Sequence, residues 1–352
     1  MNQTIYPIGI QNFEKIRKDG YLYIDKTALV YQLVTTGQYY FLSRPRRFGK
    51  SLLLSTLEAY FQGKKELFEG LAMEKLEKDW KEYPILHFDL NISQYDSPDS
   101  LYKILNDILS RYEDEYGTRP SEVTLPLRFA GIIDRAYRKT GQRAVILIDE
   151  YDKPLLQNLH DKEMQNRLRN MLKPFYGVLK TMDRALLTGV TKFGKVSVFS
   201  DLNNLMDLSM DNRYVEICGI TEKEIHAYLD DEVKELADTQ MTTYEETCLK
   251  LKQRYDGYHF TAKSEGIYNP FSLLNTFAKM EFGDYWFETG TPSYLVELLK
   301  HTHYDLYEMA NTETDADVLN SIDSASNNPI PVIYQSGYLT IKDYAPRFGI
   351  YK

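Results

Sequence analysis

The sequence predicts an α/β fold, a parallel sheet flanked by helices, followed by a second and mainly helical unit. Three observations lead there. Short apolar runs near residues 39, 85, 144, 185 and 214 alternate with segments of helical spacing, the pattern of strands joined by helical crossovers. The run Ala144–Ile148 is apolar throughout, as a strand covered on both faces must be. After Ile220 the alternation stops and helices dominate. A length of 352 residues suits two domains, which we place at 1–220 and 221–352.

Taken in order, a loop and a short strand at Tyr21–Ile24 lead to a helix N-capped by Asp25 and stopped at Gly37. Tyr39–Ser43 is the first core strand. A basic loop, Arg44-Pro-Arg46-Arg47-Phe48-Gly49-Lys50-Ser51, runs into a helix to Gln62 whose Leu53, Leu54, Leu57, Tyr60 and Phe61 share a buried side. A charged helical stretch, Lys64–Glu82, precedes the strand that ends at Asp89. Two helices, Pro98–Tyr116 and Leu127–Thr140, come next, the second stopped by Gly141. The strand ending at Asp149 and Glu150 leads to a helix Lys162–Lys180 that Pro174 is placed to kink or split. Ala185–Lys192 and Tyr214–Ile220 complete the strands. Thr221 and Glu224 form a capping box. Two aromatic-rich loops, Tyr255–Tyr258 and Tyr268–Ser272, interrupt the helices beyond, and a β-hairpin around Ala345–Gly349 gives the end a winged-helix-like cast.

Ligands of such sheets bind at the carboxyl ends of the strands, and the chemistry-bearing residues collect there. A tight loop between a strand and a helix points backbone N–H groups and the positive end of the helix dipole at an anion. Arg46, Arg47, Phe48, Gly49, Lys50, Ser51 and Leu52 are therefore expected around a nucleotide's phosphates, with Lys50 reaching the outer phosphates and Ser51 holding Mg²⁺. Asp149 is the acid expected beside Ser51 on the metal, and Glu150 the carboxylate that polarises an attacking water. Thr191, at another strand end, is expected as a polar sensor that bonds that water or the γ-phosphate, with Lys192 adding charge. Arg44, Arg46 and Arg47 concentrate positive charge at the loop; one could stabilise a transition state in cis, or they could grip phosphates statically or face solvent.

Composition limits the alternatives. Net charge is −9, but it is uneven: residues 128–195 carry 14 basic and 7 acidic side chains, residues 196–352 carry 12 and 26. The basic middle leaves room for nucleic-acid binding through Arg135, Arg138 and Lys139. No apolar run reaches the ~20 residues of a membrane span. The start lacks the features of a signal peptide. Two cysteines, Cys218 and Cys248, are too few for a disulfide framework, so a reducing cytoplasmic setting is expected.

The chain resembles the AAA-ATPase-like family, a P-loop NTPase domain commonly followed by a nuclease-like domain of the PD-(D/E)XK type. The resemblance rests on Pro7–Ile10, Tyr23–Thr27, Arg44–Ser51, Leu147–Asp152, Leu187–Lys192, Tyr255–Asp256–Gly257–Tyr258, Asn269–Ser272 and Trp286–Pro292, spread over nearly the whole sequence. Members look like this where other phosphate loops have Gly in place of Arg44. The resemblance implies a strand order of 5-1-4-3-2, a helical and winged-helix-like lid, and Mg-dependent ATP hydrolysis. It implies, by analogy with related signal-transduction ATPases, that Asn269 and Pro270 touch the nucleotide from the lid and that Tyr23 and Asp25 lie near the adenine. The nuclease-like domain's Asp…Glu-x-Lys constellation is not found in these 352 residues, so nuclease chemistry is not expected of them.

The expected function is an ATP-driven switch acting on an attached or partner effector, with ATP, ADP and Mg²⁺ as ligands and oligomers allowed. Two other classes stay open: a nucleotide-gated binding module with little turnover, and a nucleic-acid-binding adaptor. The wealth of arginine at the loop predicts tight nucleotide retention and slow turnover.

Overall fold

The computed structural model describes residues 4–181, 184–193, 205–289, 292–302, 307, 312–320, 322, 328–345 and 350–352. Five parallel strands, β1 (Tyr39–Ser43), β2 (Ile85–Asp89), β3 (Val145–Asp149), β4 (Arg184–Gly189) and β5 (Met206–Asp207), form one sheet in the order β2-β3-β4-β1-β5. Asp89 lies opposite Asp149 and Ser43 opposite Gly189, so the carboxyl ends of four strands reach one edge together.

Alternate side chains serve the two faces. Tyr40, Leu42, Val145, Leu147 and Leu186 join a core closed by the helices Thr27–Thr36 and Lys50–Phe61. Phe41, Leu86, Phe88, Ile146, Ile148 and Leu187 face the other core, closed by Pro98–Tyr116, Leu125–Thr140 and Lys162–Gly177. The outer edge of β2 is blunted against further pairing. The Tyr112 hydroxyl accepts from the His87 N–H at 2.6 Å and donates to its carbonyl at 3.2 Å.

Several elements differ from expectation. Tyr21–Ile24 forms no strand; among the described residues the Leu22 N–H donates to the Ile5 carbonyl at 2.8 Å, outside any sheet. Tyr214–Ile220 is not a strand; the fifth strand is Met206–Asp207, paired with Tyr40 and Phe41. The run looked like a strand because it is apolar, but its backbone groups are spent elsewhere. The Tyr214 carbonyl accepts from Arg44, the Gly219 N–H donates to the Phe48 carbonyl at 3.0 Å, and Ile220 bridges to Tyr268. The stretch 64–82 breaks into a 3₁₀ turn (Lys65–Phe68) and a short helix (Ala72–Leu76) on either side of Gly70. Lys162–Gly177 runs through Pro174 without splitting. Asp25 stands one position before the N-cap Lys26 rather than at it, where it accepts from the Thr27 N–H at 2.8 Å and also from the Ala72 N–H at 2.7 Å.

Beyond Ile220, the helices Glu222–Tyr228, Asp230–Thr239, Tyr244–Tyr255 and Pro270–Lys279 share a third core around Leu229, Val233, Leu251, Leu273 and Phe277. The helix Ile330–Gln335 packs instead into the core beneath the sheet, with Tyr258 and Phe260. At the end, β6 (Thr314–Asp315), β7 (Tyr344–Ala345) and β8 (Ile350–Tyr351) form a small antiparallel sheet in the order β6-β8-β7. Residues 346–349, the expected hairpin turn, lie outside the described residues, as do 290–291 of the Trp286–Pro292 segment. Among the described residues no helix is long and apolar enough to cross a membrane.

Gly219 joins the sheet unit to the following helices at φ +90°, where a Cβ would meet Ile267 Cγ2 at 2.2 Å. Gly141 is also left-handed (φ +71°) but opens onto space. In urea titrations Gly141→Ala should cost about 1 kcal/mol, the left-handed penalty alone. Gly219→Ala should cost at least about 2 kcal/mol more, because the contact adds overpacking; equal losses would contradict this placement.

Candidate functional site

Where β1 ends, the chain turns through Arg44–Gly49 into the helix Lys50–Phe61. Gly49 takes φ +96° at the N-cap, and no side chain caps the helix, which leaves its first N–H groups for a ligand. Arg47 (φ +66°) and Glu150 (φ +51°) adopt left-handed backbone at the same edge. Such conformations are costly for residues other than glycine and gather at functional sites.

Behind the loop, Ser51 Oγ donates to Asp149 Oδ2 at 2.5 Å. Asp149 Oδ1 is held in turn by the Thr188 hydroxyl (2.6 Å) and the Glu150 N–H (3.0 Å), so the carboxylate has one orientation. Lys50 is buried, with Nζ 3.1 Å from the Arg44 carbonyl, 3.3 Å from that of Pro45, and 3.3 Å from Glu150 Oε1. A cavity of about 570 Å³ opens over these groups. Arg46, Arg47, Lys50 and Lys153 line it against one carboxylate, Glu150, with Gly49, Ser51, Leu52 and Pro270 also in its wall. Pro7–Gln11 and Pro292–Tyr294 close its far side. A second, apolar cleft of about 110 Å³ shares Gly49, Leu52, Pro270 and Leu274 with it, and there Tyr23, Phe48 and Ile220 form the wall.

Several expected residues are engaged elsewhere. Arg44 turns inward, 1% exposed: Nη1 donates to the Ser43 and Ser209 carbonyls (both 2.9 Å), Nη2 to that of Tyr214 (3.2 Å), and the guanidinium lies 3.8 Å from the Phe260 ring centre. It adds no charge to the cavity. Thr191 is fully buried, its N–H (2.7 Å) and hydroxyl (2.6 Å) both donated to Asp152, and Lys192 is ion-paired with Asp207. Asp25 serves backbone capping, and Asn269 caps the helix Pro270–Lys279 through the Ser272 N–H at 2.9 Å. Phe48 and Tyr23 meet the apolar cleft rather than the basic cavity.

Sequence reasoning gave no role to Asp152, Lys153 or Asn91. The signal was available: Asp152-Lys153-Pro154 directly follows the strand-terminal acids, and Pro154 marks the turn that keeps those side chains at the sheet edge. Burial pushes the Glu150 carboxyl up from its ordinary range; Lys50 opposes this and Asp149 adds to it. Burial, reinforced by the charge of Glu150, pushes Asp152 up to about 7 against the hydrogen bonds from Thr191.

Residues 7–199 match the family described as "Predicted AAA-ATPase". The chain is also similar to the "Uncharacterized protein in vnfD 5'region" of Azotobacter chroococcum mcd 1, with 39% identity over 347 residues. That match takes in 97% of this chain and 65% of the relative, so the chain spans about two thirds of the relative's length or slightly less.

The raised Asp152 carboxyl carries a pH signature. Between its ordinary value of 3.8 and about 7, the folded chain holds a proton there that the unfolded chain has lost. Its contribution to stability therefore falls as pH rises through that window and levels off above it. In urea titrations at pH 4 to 7, wild type should lose stability relative to Asp152→Asn by about 1 kcal/mol per pH unit. A difference that is flat or grows the other way would contradict the assignment.

Proposed function

The chain belongs to the AAA-ATPase-like family, and from that premise we propose that it binds ATP with Mg²⁺ and hydrolyses it to ADP and phosphate. The observation that carries this reading is the Ser51–Asp149 pair, whose Ser51 and the neighbouring Lys50 line a cavity with charged walls that are mostly cationic. A hydroxyl and a carboxylate held side by side are hard oxygen donors, the kind Mg²⁺ selects, and they fit that ion. Bound there, Mg²⁺ would neutralise charge on the phosphate oxygens.

The residues then divide the work. The uncapped N–H groups of the helix start, with Arg46 and Arg47, hold phosphate. Lys50 exchanges the carbonyls of Arg44 and Pro45 for phosphate oxygens. That exchange loosens its ion pair with Glu150 and frees the carboxylate. Water attacks the γ-phosphorus, its proton passes to Glu150, and the bond to the β-phosphate oxygen breaks with ADP as leaving group. The apolar cleft beside Gly49, walled by Tyr23 and Phe48, suits the flat base, with Pro270 at the junction of the two spaces.

We read 1–220 as the ATPase core, with the 5-1-4-3-2 strand order, and 221–352 as a lid with a winged-helix-like end. Three contacts support a switch that transmits nucleotide state to an effector. Trp286 Nε1 donates to the Arg46 carbonyl (3.1 Å), the Lys192 N–H donates to Gln335 Oε1 (2.7 Å), and a Cβ on Gly337 would stand 2.8 Å from Pro45 Cβ. A low-turnover, nucleotide-gated module is the second reading, favoured by the engagement of Thr191 with Asp152. The adaptor reading is weakened by ion pairs that neutralise the basic segment: Arg135 with Glu122 (2.5 Å), Arg138 with Asp134 (3.1 Å) and Lys139 with Glu115 (3.8 Å).

Phosphate release from Mg-ATP separates these readings. Lys50→Ala should weaken ATP binding by at least about tenfold. Glu150→Gln should keep ATP bound while turnover falls about 10²–10⁴-fold. Unchanged turnover in Glu150→Gln would remove Glu150 as the base, and negligible turnover in wild type with ATP bound would select the module.

A further inference from the structure

Recognition of a γ-phosphate needs a group that reaches the terminal phosphate beyond those the loop cradles, and the strand-end residues expected for it are occupied. Thr191 is committed to Asp152, Lys192 to Asp207, and Arg44 to three carbonyls. Arg46 and Arg47 belong to the phosphate loop itself and would meet phosphates that ADP and ATP have in common.

Lys153 stands differently. It starts the short helix Lys153–Leu156, and its N–H donates to the Glu150 carbonyl at 3.0 Å, so it and Glu150 leave the same turn. It lines the cavity together with Glu150 and Asn91. Among the described residues its ammonium has no carboxylate within ion-pair distance. It rests on two neutral oxygens of Asn91, the carbonyl at 2.5 Å and the side-chain oxygen at 3.0 Å. Burial lowers its pKa, opposed by the charges of Glu150 and Asp89. A partly desolvated cation with only neutral partners gains when an anion arrives.

We infer that Lys153 recognises the γ-phosphate, moving from Asn91 to the terminal phosphate oxygens and distinguishing ATP from ADP. This rests on the ATP reading of the same cavity. The loop and Ser51 hold the phosphates both nucleotides share, and Lys50 reaches from these to the outer phosphate. Lys153 approaches from the β3 side, beside the base that activates water. Because Glu150 and Lys153 share a turn, the cation that holds the γ-phosphate and the carboxylate that serves its attack keep a fixed relation to each other.

Competition of ATP and of ADP against a fluorescent ADP analogue, with Mg²⁺ and the full chain, tests the assignment. Lys153→Met should weaken ATP about tenfold and ADP less than about twofold. Lys153→Arg, which keeps the charge, should recover most of the ATP affinity. Lys50→Ala, by contrast, should weaken both nucleotides. ATP and ADP affinities that move together in Lys153→Met, or that do not move, overturn the role of Lys153 while leaving the nucleotide site standing. Wild type that binds neither nucleotide overturns the site itself, and the assignment with it.

Discussion

Arg44 places a guanidinium in the interior at the point where β1 gives way to the phosphate loop, and the neighbouring segments are arranged to receive it. Burying a cation costs several kcal/mol unless its donors are satisfied. Here the carbonyls of Ser43, Ser209 and Tyr214 and the face of Phe260 meet that requirement, although Nε has no partner among the described residues. Desolvation lowers the pKa of the group. Three stretches distant in sequence are thereby pinned to the first residue of the loop. They are the chain after β5, the apolar run at 214, and the Tyr255–Phe260 loop within the helical unit. Where other phosphate loops rely on glycine for a tight start, this one fixes its start with a charged tether.

The tether shapes the site in two ways. It leaves the Arg44 and Pro45 carbonyls turned toward Lys50, which rests on them and on Glu150. It also brings Phe48 against Tyr258 and Phe260, with ring centres 5.6 and 5.8 Å apart, so the loop and the C-terminal half share one aromatic wall. A change of ligand beside Lys50 thus acts on groups packed directly against Tyr258, Phe260 and Trp286. The Asp152–Thr191 pair performs a related task at the other strand end. It ties β4 to the turn after β3 and holds the edge of the sheet rigid beneath the cavity.

Strands β1, β3 and β4 were legible in the sequence because their residues are almost all buried, which leaves mainly apolar runs. The edge strand β2 was legible as a short apolar run, although it alternates buried and half-buried residues and includes His87. β5 was not, because a two-residue strand has no periodicity and exists only through pairing with β1. Tyr214–Ile220 was misread for the complementary reason: its side chains are core, but its backbone hydrogen bonds go to a guanidinium and to the phosphate loop. At the site, Gly49, Lys50, Ser51, Asp149 and Glu150 could be placed by position alone, since each closes a strand or opens a helix. The directions of Arg44 and Thr191 could not. A guanidinium beside a phosphate loop looks like a ligand contact until Ser209, Tyr214 and Phe260 are brought to it, and a strand-end hydroxyl looks free until Asp152 is found opposite. Tertiary partners, not local pattern, decide where those side chains point.

Isothermal titration of the wild-type chain with Mg-ATP tests the central claim most directly. The uncapped helix start, Lys50, the loop arginines Arg46 and Arg47, which have no carboxylate partner among the described residues, and Lys153 predict saturable one-site binding with a Kd below roughly 100 μM, about −5.5 kcal/mol or stronger. They also predict that binding weakens when Mg²⁺ is chelated, because Ser51 and Asp149 then lose their shared ligand. Absence of binding, a Kd well above that value, or an affinity indifferent to Mg²⁺ would contradict the account.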